Sequence, residues 1–221
     1  MKTPIYFIVA VLISFSSCKK DHVFNYPKDG LVSYLTFDNN LSDKQAYTND
    51  GTKTGLPTYA SGKSGKAIYF NGVDQGLTFI PKSAVAGTAI SIACWIKPEE
   101  PNINSKPPLY MAGNNGENLL MTAGNTNMGF VIANPLVANI NTNISSTGWT
   151  HFVVTYGNSF LKIYVNGILK QTLNHAGTFS GLTQGMNLGF HNSTYWKGSI
   201  DELFIYNRVL SEAEINTLYK M

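Results

Sequence analysis

The chain has 221 residues, of which 43% are hydrophobic, 12% aromatic and only 13% charged, enough apolar material for one sizeable core. Its 16 Lys and Arg against 13 Asp and Glu leave a formal charge of +3, and no basic cluster follows Lys19-Lys20, which argues against a nucleic-acid partner. Two cysteines are too few for a disulfide framework.

Taken in chain order, the first element is a charged and then apolar leader. Lys2 precedes the apolar run Ile5 to Phe15, and the small residues Ser16 and Ser17 follow, the layout of a cleaved export signal over residues 1–17. A bilayer span needs about 20 apolar residues, so a retained transmembrane helix is the weaker reading. Phe15-Ser16-Ser17-Cys18 resembles the lipobox of bacterial lipoproteins, which implies lipid attachment at Cys18; residues 18–29 then read as a tether, and the length and composition of residues 30–221 fit one domain. The competing reading is an ordinary cysteine beside a standard cleavage site, with Phe15 standing where a lipobox usually has Leu. The lipobox reading makes the protein exported and held at the cell envelope, as an outer-membrane lipoprotein. It leaves the side of the membrane open, commits Cys18 to lipid, and leaves Cys94 without an intrachain partner.

Short runs rich in β-branched and aromatic residues, separated by turn formers, predict strands at Leu31 to Phe37, Ala67 to Phe70, Ile90 to Ile96, Phe152 to Tyr156, Leu161 to Val165 and Ile200 to Tyr206. The pattern is all-β. Pro98 to Pro108 reads as a loop that overhangs one face. Asn166-Gly167, between Leu161 to Val165 and Ile168-Leu169, predicts a type I′ hairpin, because both residues accept positive φ. Its register puts Leu161, Ile163 and Val165 on one face and Lys162 and Tyr164 on the other. At the C-terminus, Ser211-Glu212-Ala213-Glu214 is a capping box ahead of Ile215, Leu218 and Tyr219 at helical spacing, and the helix is expected against a sheet edge.

Several stretches resemble a laminin-G-like domain of the concanavalin A-like lectin/glucanase superfamily. They are Gly30 to Asp38, Asn49-Asp50-Gly51, Gly65 to Asp74, Ile90 to Pro98, Trp149 to Tyr156, Val165-Asn166-Gly167 and Gly198 to Ser211. Their order and spacing together carry the likeness, which spans most of the chain after residue 30. The resemblance implies a two-sheet antiparallel jelly-roll sandwich with a short C-terminal helix, carried here on a bacterial, Bacteroidetes-like lipoprotein.

The superfamily's retaining glucanases carry Glu-x-Asp-x-Glu on one strand, since alternate residues share a face and the pair must lie about 5 to 5.5 Å apart. That motif is missing here. Asp201 and Glu202 are adjacent, so on a regular strand they face opposite ways. His22, His151, His175 and His191 are scattered, and none has metal-ligand spacing, with His151 the best core candidate. Cys94, in an apolar strand, reads as a small buried hydrophobe. The resemblance implies a structural calcium between the first strand's end and the last strand, held by Asp38 and Asp201 with carbonyls of Asn49-Asp50-Gly51. The alternative has Asp38 capping a turn and Asp201 paired with an amide or cation.

Sugar recognition combines aromatic rings with a few amides. Two inter-strand segments supply them: His191, Tyr195 and Trp196 in one, Asn114 and Asn115 in the other. The competing reading has Trp196 closing the core and the Asn residues serving backbone turns. The expected function is a non-catalytic carbohydrate-binding, lectin-like module with a polysaccharide partner. A structural or protein-interaction domain of the envelope is the alternative, and a divergent glycoside hydrolase comes third.

Overall fold

A computed structural model describes residues 25–82, 88–100, 106–113, 118–133, 138–143, 147–175 and 181–221. Residues 1–17, read from the sequence as an export signal, and Cys18 lie outside them. The strands are β1 (Leu31–Leu35), β2 (Thr52–Thr54), β3 (Thr58–Ser61), β4 (Lys66–Asn71), β5 (Gly76–Phe79), β6 (Ile90–Pro98), β7 (Leu109–Gly113), β8 (Asn118–Ala123) and β9 (Asn127–Ala133). They continue with β10 (Ala138–Asn143), β11 (Thr150–Gly157), β12 (Phe160–Val165), β13 (Ile168–Asn174), β14 (Leu182–Leu188), β15 (Phe190–His191), β16 (Thr194–Tyr195) and β17 (Lys197–Tyr206), before helix α1 (Glu212–Tyr219).

Two antiparallel sheets form a sandwich. The eight-stranded sheet runs β13-β12-β11-β6-β17-β4-β3, with β1 also paired to β17, and the seven-stranded sheet runs β10-β9-β8-β7-β14-β5-β2. Between them lies one apolar core that includes Phe70, Ile92, Cys94, Ile96, Phe152 and Val154 from the first sheet and Leu77, Phe79, Met111, Leu119, Met121 and Phe130 from the second. Cys94 is an inert core residue as expected, and burial pushes its thiol up to about 12. The Asn166-Gly167 turn has φ of 52° and 78°, and Leu161, Ile163 and Val165 enter the core while Tyr164 faces away.

A second cluster covers the other face of the eight-stranded sheet. Tyr34, Ala93, Val153, Tyr164, Phe204 and Tyr206 on the strands meet Leu210, Ile215 and Leu218 of the C-terminal segment. Helix α1 therefore lies across the sheet's outer face, and the expectation of an edge position is corrected. Its apolar residues Ile215 and Leu218 share one side and need a broad surface to bury it. The capping box forms as expected, with Ser211 Oγ accepting from the Glu214 amide. Glu214 also takes two hydrogen bonds from the Arg208 guanidinium, at 2.9 and 2.6 Å.

Being covered on both faces explains why β6, β11 and β17 are buried at nearly every position and read as continuous apolar runs. All six expected strands correspond to members of this one sheet: β1, β4, β6, β11, β12 and β17. The second sheet of the expected two-sheet sandwich is present, but none of its strands is among the six read from the sequence.

Candidate functional site

The helix and the N-terminal segment occupy the outer face of the eight-stranded sheet, so the outer face of the seven-stranded sheet is the one left for a ligand. Among the described residues no apolar cluster covers it. Strand alternation fixes what it displays. Because Leu77, Met111, Leu119, Met121, Phe130 and Met186 point into the core, their neighbours point outward. One cross-strand row then passes through Thr78, Asn187, Tyr110, Leu120, Val131 and Asn139, each directly opposite the next. Ordinary strand spacing of about 4.8 Å gives this row a length of about 24 Å.

Hydrogen bonds order the row. Thr78 Oγ1 donates to Asn187 Oδ1 at 3.0 Å, and the Tyr110 hydroxyl donates to Asn118 Oδ1 at 2.7 Å. A small hairpin stands over one part of it. Asn192 and Ser193, with φ of 47° and 61°, make the two-residue turn that pairs β15 with β16. Successive residues Phe190 and His191 point to opposite sides of this hairpin, and β14 lies between the strands they reach. Phe190 covers Gly76 of β5, where any Cβ would collide with the Phe190 ring, so glycine is what lets the ring approach the sheet. His191 stacks on Tyr110 of β7, with ring centroids 4.0 Å apart and planes 29° apart. Burial lowers the His191 pKa, so the imidazole is uncharged at neutral pH.

The residues expected to bind sugar separate. His191 joins the row through Tyr110, which sequence reasoning missed. Tyr195 lies on the Phe190 side of the hairpin, half-buried and stacked on Phe190 at 6.0 Å. Trp196 is 1% exposed, and its Nε1 donates to the Ala123 carbonyl at 2.7 Å. Its ring meets Phe70 rather than solvent, which corrects its reading as a sugar platform: burying an indole with its N–H paired is more favourable than exposing it. Asn114 and Asn115 lie outside the described residues. Asn187, Thr78 and Asn118 give no local sequence signal, because their outward direction depends on the register of strands that read as polar, glycine-containing chain.

Asp38 and Asp201 meet the same turn. Asp38 Oδ1 accepts from the Lys66 amide at 2.8 Å, while Asp201 Oδ2 accepts from the Lys63 and Ser64 amides at 2.8 and 3.0 Å. Asp201 Oδ1 accepts from the Glu202 amide at 2.9 Å. A register shift between Asp201 and Phe204 inserts an extra residue, and Glu202 there has φ of 48°. The bulge turns both carboxylates to the outer face of the eight-stranded sheet, against the expected opposite faces. Ile200 and Leu203 on either side still enter the inter-sheet core. Glu202 accepts from the Tyr34 hydroxyl. Burial raises both acids, each to about 7, and among the described residues neither has an ion-pair partner. No group of three His, Cys, Asp or Glu side chains gathers around a point among the described residues, and the carboxylate oxygens of Asp38 and Asp201 accept backbone amides of the Lys63-to-Lys66 segment.

His151 is buried, as expected, between the rings of Trp95 and Tyr219 at 5.2 and 5.9 Å. Burial holds its pKa down to about 3. Such a neutral, enclosed ring is structural.

Residues 70–216 match the profile of a family described as the concanavalin A-like lectin/glucanases superfamily, within its Laminin_G_3 group. Among solved structures, domain 4 of AbnA, a GH43 extracellular arabinanase from Geobacillus stearothermophilus, in complex with arabinotriose, is similar at 25% identity and a TM-score of 0.74, over 86% of this chain and 98% of that one. The receptor-binding domain of botulinum neurotoxin C/D mosaic serotype shares the fold at 15% identity and a TM-score of 0.72, over 87% of this chain and 51% of that one. The binding domain of botulinum neurotoxin DC in complex with SialylT does so at 14% identity and a TM-score of 0.68, again over 87% and 51%. No curated protein matches the sequence.

Proposed function

From the membership of this chain in the concanavalin A-like lectin/glucanases superfamily, we propose that it is a non-catalytic glycan-binding module whose site is the outer face of the seven-stranded sheet. The observation that carries the reading is the ordered row Thr78, Asn187, Tyr110, Leu120, Val131 and Asn139 on the face that the helix leaves free, braced by His191. Amides and hydroxyls match sugar hydroxyls, and Tyr110, Leu120 and Val131 match the C–H faces of sugar rings. The arabinanase domain, similar over 98% of its length and solved in complex with arabinotriose, supports the same reading. The absence of Asp and Glu from the described strands of this sheet supports binding without hydrolysis.

The leader sequence supports an envelope setting, in which lipid on Cys18 holds the module at the outer membrane and polysaccharide is captured there. For the acidic turn, we propose a direct lock by the amides of Lys63, Ser64 and Lys66 in place of calcium. A glycan array probed with the purified protein tests the main reading: binding to polysaccharide that is lost in Tyr110→Ala supports it. Silence on plant, host and microbial glycans, with reproducible capture of one envelope protein, would favour a protein-interaction domain instead.

A further inference from the structure

We propose that the ligand is an uncharged polysaccharide lying across the strands of the seven-stranded sheet, an inference that rests on the glycan-binding reading of that face. The argument is electrostatic and geometric. Among the described residues of this sheet, Lys53 is the single charged one, at the edge in β2. It pairs across from core-facing Leu77, and its ammonium lies 5.5 Å from the Tyr59 ring of the other sheet, so it points away from the outer face. The titratable side chain that joins the row, His191, is kept neutral by its burial against Tyr110.

A uronic or sialic carboxylate placed on such a face would lose hydration and meet no guanidinium or ammonium from the described strands of this sheet in return. Sites that select carboxylates supply Arg or Lys, because charge-assisted hydrogen bonds must offset that desolvation. A neutral sugar has no such cost, and its hydroxyls donate and accept as amides do. The shape of the row sets the second half of the inference. Polar groups stand at both ends, Thr78 and Asn187 at one and Asn139 at the other, with Tyr110, Leu120 and Val131 between them. At about 24 Å by ordinary strand spacing, the row accommodates several sugar rings rather than one terminal unit.

The test is calorimetric titration of the purified protein at low and high salt. The probes are linear arabinan and mannan, tri- and hexasaccharides of each, polygalacturonate, hyaluronate and sialyllactose. The expected result is binding to at least one neutral polymer that is insensitive to salt and rises about tenfold from trisaccharide to hexasaccharide, the gain of about 1.4 kcal/mol in further contacts. Tighter, salt-sensitive binding of polygalacturonate, hyaluronate or sialyllactose would overturn the inference and leave the glycan-binding reading standing. Equal affinity for tri- and hexasaccharide would overturn the extended site alone. No binding to any probe would remove the glycan-binding reading itself.

Discussion

The ring of His191 stacks on the ring of Tyr110 at 4.0 Å, joining a two-residue strand near the C-terminus to the middle of a sheet laid down far earlier in the chain. The contact fixes one face of the tyrosine, and Asn118 fixes its hydroxyl. Tyr110 thus enters any complex with little rotational freedom left to lose.

Tyr110→Ala should weaken glycan binding by about tenfold or more, the loss of one well-placed aromatic contact of roughly 1 to 2 kcal/mol. Tyr110→Phe keeps the ring and loses only the bond to Asn118, so it should stay within about threefold of wild type. Calorimetry measures both, with unchanged melting curves as the control for folding.

Gly76→Ala should act on the same site from a distance. The new methyl would displace Phe190 and with it the hairpin carrying His191, at a stability cost of about 1 to 3 kcal/mol. Glycan affinity should fall although residue 76 touches no sugar. Unaltered affinity would mean that the hairpin does not shape the site.

Trp196 divides stability from binding. Trp196→Ala should destabilise the fold by about 3 to 5 kcal/mol, measured in urea, because it empties a buried position beside Phe70 and strands the Ala123 carbonyl. Trp196→Phe, which refills most of the space, should fold and bind glycan almost normally. A selective loss of binding in that variant would restore the indole to the site.

The carboxyl of Glu202 gives a pH signature. Its folded pKa is raised to about 7 by burial, while an unfolded glutamate titrates near about 4.3, so the folded state holds the extra proton between these values. The stability it contributes is full below about 4.3 and is lost as pH rises through about 7. His151, held down to about 3, works in the opposite sense over part of this range, so the difference between proteins is the measurement. Glu202→Gln keeps an acceptor for Tyr34 and removes the titration. Its melting temperature relative to wild type should climb from pH 5 to pH 8. A flat or falling difference would show that Glu202 ionises in the fold at its ordinary pH.

Calcium should give neither binding heat nor a higher melting temperature, since the Asp38 and Asp201 oxygens are aimed at amides of the Gly62-to-Lys66 turn. Asp201→Asn should cost about 1 to 3 kcal/mol, because its single oxygen can accept from the Lys63 and Ser64 amides or from the Glu202 amide but not from both sides. A calcium-dependent rise in melting temperature that disappears in Asp201→Asn would reinstate the metal.

The sheet that holds the fold together was legible in the chain, and the sheet proposed to bind glycan was not. Strands β6, β11 and β17 are covered on both sides, so Ile90 to Ile96, Phe152 to Tyr156 and Ile200 to Tyr206 announce themselves as apolar runs. By contrast, Asn118 to Ala123 and Ala138 to Asn143 set core residues such as Leu119, Met121 and Ile140 between outward Asn118, Leu120, Asn139 and Asn141. Locally that composition also fits a loop, because an open face demands no hydrophobic residue at every second position. The same ambiguity made Trp196 look like a site residue and hid Tyr110, since an aromatic residue's exposure is set by what packs around it.

Turn chemistry and capping were fixed by the chain itself, because Asn166-Gly167 and Ser211 to Glu214 act through backbone conformations and hydrogen bonds within a few residues. Which face stays open, which carboxylates share a turn and which rings stack were decided only when distant strands took their register. Each of those properties belongs to a pair of residues, and no local stretch of sequence contains both members.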